Sequence, residues 1–63
     1  MSASVKDKVQ TLVDTLTTAL EDAEKFSEKG NKAAGTRVRK ALLEVSKSCK
    51  DIRAQVSEEK NAE

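Results

Sequence analysis

The chain has 63 residues, 37% charged and 37% apolar, with one Phe, one Met, one Cys, no His, Trp, Tyr or Pro, and a net charge of +1. One cysteine excludes an internal disulfide, and the lack of histidine removes both an imidazole base and the usual metal-ligand sets. No apolar run approaches the ~20 residues of a membrane span, and the opening Met-Ser-Ala-Ser-Val-Lys-Asp-Lys lacks the apolar stretch of a signal peptide.

A domain this short buries only ~60% of its unfolded surface, and it ordinarily needs a staple, a metal or a partner. With the first two removed, self-association is the expectation. The lone thiol fits a reducing compartment, so a cytoplasmic location is expected.

The first predicted element is a helix over about 4–29. Val5, Val9, Leu12, Leu16, Ala19, Ala23 and Phe26 recur at alternating spacings of four and three, a heptad seam on one helix face. Ser4 precedes it as an N-cap, with Asp7 in the first turn. Gly30 suits a left-handed C-terminal stop, and Asn31 suits the N-cap of the next helix. The turn is therefore placed at about 29–31.

The second helix is expected over about 32–57, with the last residues frayed. Its seam reads Gly35, Val38, Leu42, Val45, Cys49, Ile52 and Val56. If the chain folds back about the turn, facing positions add to 61, pairing Phe26 with Gly35, Leu16 with Val45 and Val5 with Val56. Gly35 then either leaves room for the ring of Phe26 or marks a frayed first turn. Val13 and Leu20 lie beside the first seam, Ala34 and Ala41 beside the second, and a two-helix hairpin cannot enclose them. The fold class expected is all-α: an antiparallel, coiled-coil-like hairpin that joins a second copy in a dimeric four-helix bundle. Leu43 projects from the opposite side of helix two.

The small net charge hides a strong polarity. Residues 1–28 carry three lysines against six carboxylates, a net −3; residues 29–53 carry eight cations against two carboxylates, a net +6; residues 54–63 carry a net −2. At about 100° per residue, Lys32, Arg39, Lys47 and Lys50 fall on the side of helix two away from its seam, with Lys40 close by. Arg37 and Arg53 flank the seam on opposite sides. Such a face suits phosphate contacts, and the lack of aromatic residues there argues against base stacking, leaving double-stranded DNA contacted through its backbone. A solvated helix face in a hairpin that binds another protein, without nucleic acid, is the alternative. A membrane-surface helix would need bulky anchors that this one lacks.

No catalytic chemistry is visible. Cys49 lies on the seam, where a cysteine serves as a small hydrophobe. The carboxylate pairs Glu21/Asp22 and Glu58/Glu59 have no pocket behind them, and Gly30 and Gly35 have neither the preceding strand nor the Gly-Lys-Ser/Thr of a phosphate loop. The expectation is a protein that is not an enzyme, with no cofactor, no metal and no small-molecule substrate.

The stretch Glu24-Lys-Phe-Ser-Glu-Lys-Gly-Asn-Lys-Ala-Ala-Gly-Thr-Arg-Val-Arg-Lys40 closely resembles the core motif of the bacterial linker-histone-like proteins, the family named for the chlamydial histone-like protein. The likeness continues through Leu42, Lys47 and Asp51-Ile52-Arg53 to Glu58-Glu-Lys-Asn61, covering roughly residues 22–61. The resemblance implies a DNA-associated, nucleoid-organising protein. It implies Lys32, Arg37, Arg39 and Lys40 as DNA contacts, and less firmly Lys47 and Arg53; Lys50 is added by the charged face alone. Chlamydial members continue into a Lys/Ala-rich basic tail, whereas this chain ends in acidic residues, which implies weaker condensation of DNA.

Overall fold

The computed structural model describes residues 3–62 and shows two helices, α1 (Val5–Lys29) and α2 (Lys32–Asn61), folded back on one another into a rod of 51 × 17 × 15 Å. Met1, Ser2 and Glu63, the last of the acidic terminal residues, lie outside the described residues. Among the described residues there is no strand, and no helix is long and apolar enough to cross a membrane.

Short polar side chains set the ends of the helices. Ser4 caps α1, its Oγ accepting from the Asp7 backbone N–H at 3.1 Å, while Asp7 adds a carboxylate where the helix dipole favours one. Gly30 ends α1 in the left-handed region at φ 65°, and its N–H donates to the Phe26 carbonyl at 3.0 Å. The Asn31 side chain accepts from the Ala34 N–H at 3.1 Å and starts α2 at once. Two residues thus reverse the chain. At its far end α2 runs on to Asn61, past the end expected near 57: Gln55, Glu58, Glu59 and Lys60 are good helix formers, and Gln55 Nε2 donates to Glu59 at 2.7 Å.

The hairpin register agrees with the spacing argument, because Phe26 meets Gly35, Asp22 meets Arg37 and Lys8 meets Gln55. The face in contact agrees only in part: Val5, Leu12, Ala19, Ala23, Gly35, Val38, Val45 and Ile52 are covered as expected. Val5, Lys8, Leu12, Thr15, Ala19 and Asp22 of α1 are covered by Ala34, Val38, Ala41, Val45, Ser48, Ile52 and Gln55 of α2, whereas Val9, Leu16, Leu42, Cys49 and Val56, expected in the seam, are exposed. Ala34 and Ala41, expected to lie outside it, are enclosed, and Ala34 is completely buried. Both corrections have one cause. Two helices approach closest along a line of small residues, and Ala19, Ala34, Ala41, Ser48 and Thr15 supply that line. Val9, Val13, Leu16, Leu20, Leu42 and Val56 stand to one side of it.

Gly35 is such a close approach inside a continuous helix. A Cβ there would fall 2.6 Å from Phe26 Cδ1 and 2.7 Å from Cε1. This favours the packing explanation of the glycine over a frayed turn. In the parent, the ~1 kcal/mol of helix propensity gained by Gly35→Ala is expected to be cancelled as the ring is pushed off its seat. In a Phe26→Ala background the same substitution should stabilise by about 1 kcal/mol. Equal effects in the two backgrounds, measured by urea unfolding, would contradict this packing.

Candidate nucleic-acid interface

All seven cations singled out above lie on α2 and all are exposed, but they do not form one surface. Measured from the observed contact line, Lys32, Arg39, Lys40, Lys47 and Lys50 occupy the back of α2, about 180° away from α1 to within a quarter turn. Lys32 and Lys50 are 18 positions apart, so the stripe runs about 27 Å at 1.5 Å per residue. Thr36, Leu43 and Ala54 lie among the charges. Among the described residues none of these five side chains forms a hydrogen bond or ion pair within the hairpin.

Arg37 stands apart from the stripe, on one flat face, and Arg53 lies at the stripe's margin toward the other face. Arg37 is tied down: its Nε and Nη2 donate to Asp22 Oδ1 at 3.1 and 2.9 Å. That hydrogen bond, aided by the charges of Arg37 and Lys25 and opposed by partial desolvation, holds the Asp22 carboxyl below the usual aspartate range, and the same bond raises Arg37. The pair crosses between the helices and pins the register near the turn. Asp22 as a positioning partner is invisible to a reading by charge density, although its position satisfies the register relation with Arg37 to within two residues.

The sign of the pH effect follows. A carboxylate with a lowered folded pKa adds stability above its unfolded value of about 4, and that contribution is lost as pH falls through the lower folded value. The parent should therefore lose more thermal stability between about pH 5 and pH 2 than Asp22→Asn does, as followed by circular dichroism. Identical losses would show that the pair contributes nothing.

The two flat faces of the hairpin differ in kind. One carries the Asp22–Arg37 pair with Glu44 and Asp51. The other carries Val9, Val13, Leu16 and Leu20 from α1 beside Leu42, Cys49 and Val56 from α2, all exposed, with Leu20 and Leu42 at 59% and 51%. Phe26, half exposed, closes this face at the turn. The back of α1 is acidic, with Asp14, Glu21, Glu24 and Glu28. The rod thus has an apolar face, a polar face, an acidic edge and a basic edge. Among the described residues no group of acids and thiols is placed to hold a metal ion.

Comparison with known proteins agrees with the resemblance in the Gly30–Lys40 block. The family model described as histone H1-like protein Hc1 matches residues 6–62, nearly the whole chain. Neither the curated proteins nor the solved structures gave a match. The matched span includes both helices, the turn and every cation of the basic edge, and the chain belongs to the histone H1-like protein Hc1 family.

Proposed function

We propose that this protein binds double-stranded DNA without sequence preference, as a nucleoid-associated protein, through the basic edge of α2. The observation that carries the reading is the stripe of five cations, Lys32, Arg39, Lys40, Lys47 and Lys50, without an ion-pair partner among the described residues and extending about 27 Å along one helix. Duplex DNA carries one phosphate charge per ~1.7 Å of its axis, so a stripe of this length meets several phosphates, with affinity arising from released counterions. Side chains that reach phosphates along one helix edge, without an aromatic group to stack on bases, give register but no sequence information. The proposed role is architectural, not catalytic. Arg53 sits at the margin of the apolar face and Arg37 is held by Asp22, so both contribute less than the other five.

The apolar face supports the second part of the reading, a homodimer. The exposed patch is about 20 Å along the helices and two helix widths across, at the size where contiguous apolar surface marks a contact site. The heptad stripes of the two helices point between the neighbouring helix and this open face, the direction of the centre of a four-helix bundle. A hairpin alone covers half of each stripe, and a second copy covers the rest. An apolar face that instead takes up a different protein is the competing reading, and it predicts a monomer in isolation.

Two measurements test the proposal. Titration of a mixed-sequence duplex at rising salt is expected to give log Kd linear in log salt with a slope of about 4 to 5, the value for five phosphates. Light scattering on the DNA-free protein should give twice the mass of one chain. No binding at low salt overturns the first part, and a stable monomer overturns the second.

A further inference from the structure

Two copies can stack through the apolar face in two ways that preserve two-fold symmetry. With the axis along the rod, α1 of each copy lies over α2 of its partner; with the axis across the rod, like helices lie over like. We infer the first arrangement, and with it a dimer whose two basic edges point in opposite directions and bind two separate DNA duplexes. The inference rests on the proposed dimer and on the proposed DNA contact.

Charge separates the arrangements. Within α1 four lysines stand against six carboxylates, a net −2; within α2 eight cations stand against four carboxylates, a net +4. Stacking unlike helices brings opposite charges together twice, whereas stacking like helices opposes −2 to −2 and +4 to +4. The charged residues beyond the apolar face, on the backs of the helices, repeat the contrast. In the hairpin register, facing positions add to about 61. With α1 over the partner's α2, Glu24 comes level with Arg39 of the partner and Glu28 with Lys32 of the partner; Lys6 beside Arg53 is the one like-charged pair. With like over like about a centre near Ser46, Arg39 meets Arg53 and Lys32 meets Lys60, each twice, and the only compensation is Lys6 with Glu24. Like charges placed opposite one another disfavour a pairing and so select its alternative.

Apolar exposure points the same way. Leu20 and Leu42, the two most exposed residues of the face, lie at one level on different helices. Only the unlike stacking sets Leu20 of each copy against Leu42 of its partner. Their exposed area is then removed from water in two symmetric contacts.

The consequence for DNA follows from where the edges go. In the unlike stacking the two α2 helices sit at diagonal corners of the bundle, and their cationic backs face away from each other, roughly 25 Å apart. Each edge alone is a modest site; two per particle give linkage of duplexes and the gain of a second, local binding event. The like stacking would instead merge both basic helices into one broad site for a single duplex.

Cross-linking reads the arrangement directly. In a Cys49→Ser background, Leu20→Cys and Leu42→Cys chains are prepared separately, then refolded together and oxidised. The mixture is expected to give a covalent dimer, with each variant alone remaining largely uncross-linked. Self-cross-linking of Ser46→Cys in the same background, the position that the like stacking sets against its own copy, indicates α2 over α2 and overturns the inference. In parallel, a bead-bound duplex is incubated with a second, labelled duplex and the unaltered protein. Protein-dependent capture of the labelled duplex is expected, also with the disulfide-locked dimer. Binding to the bead-bound duplex without capture overturns the two-site dimer alone. A monomer by light scattering removes the dimer reading beneath it, and failure to bind any duplex removes the DNA reading while leaving the cross-linking result intact.

Discussion

Replacing Lys40, Lys47 and Lys50 together with alanine is expected to flatten the salt dependence of DNA binding and remove most of the affinity at low salt. The reason is arithmetic on counterions. Each cation seated on a duplex phosphate contributes about 0.9 to the slope of log Kd against log salt, so five give about 4.5 and two give about 1.8. Raising salt from about 50 to 200 mM should weaken the parent about 500-fold and the triple variant only about 12-fold. All three lysines are exposed and none is part of the contact between the helices, so the helical spectrum and the unfolding midpoint should scarcely change. Arg37→Ala serves as the contrast: its guanidinium is held by Asp22, and its loss should alter stability more than the salt slope. Equal slopes for the parent and the triple variant would sink the assignment of the basic edge.

The largest stability effect is expected at Ala34. Its side chain is completely buried between the two helices next to the turn. A leucine there has no space unless the helices part, and overpacking of this kind costs about 1–3 kcal/mol. A domain of this size rarely holds more than ~3–5 kcal/mol from its core, so the loss is a large share of the total. At about 4–8 °C per kcal/mol for small domains, Ala34→Leu should lower the thermal midpoint by roughly 4–24 °C, or leave the chain unfolded at ambient temperature. The neighbouring Ala33 is exposed, and Ala33→Leu should change stability by no more than ~0.5 kcal/mol. Equivalent melts for the two variants would show that the helices do not meet at Ala34.

Helices, turn and register were legible in the sequence because each rests on local chemistry. Ser4 and Asn31 are capping residues, Gly30 is a left-handed stop, and the two heptads share one spacing, so the fold-back relation emerges from counting. The rotation of the contact face was not legible. The heptad stripe records the direction of greatest hydrophobicity, which in a two-helix rod lies between the neighbour and the open face. Ala19, Ala34 and Ala41 carry little hydrophobic weight, yet they decide where the backbones approach. For the same reason Cys49 reads as a seam residue and stands exposed. The basic edge was legible as charge, whereas the tie between Arg37 and Asp22 needed the rotation as well as the register.

The two-residue reversal at Gly30 and Asn31 also shapes how the chain acquires its structure. Contacts between the helices begin at Phe26 with Gly35, nine positions apart, and lengthen steadily to Ala3 with Gln55, 52 apart. Loop-closure entropy grows with that separation, so pairing starts at the turn and runs outward like a zipper, each contact shortening the loop that the next must close. Low contact order of this kind belongs to folding in microseconds to milliseconds. The reverse process starts at the open end, where Val5, Lys8 and Gln55 separate first. Backbone amides beside Ala34 and Val38 should consequently exchange with solvent deuterium more slowly than their counterparts near Ile52.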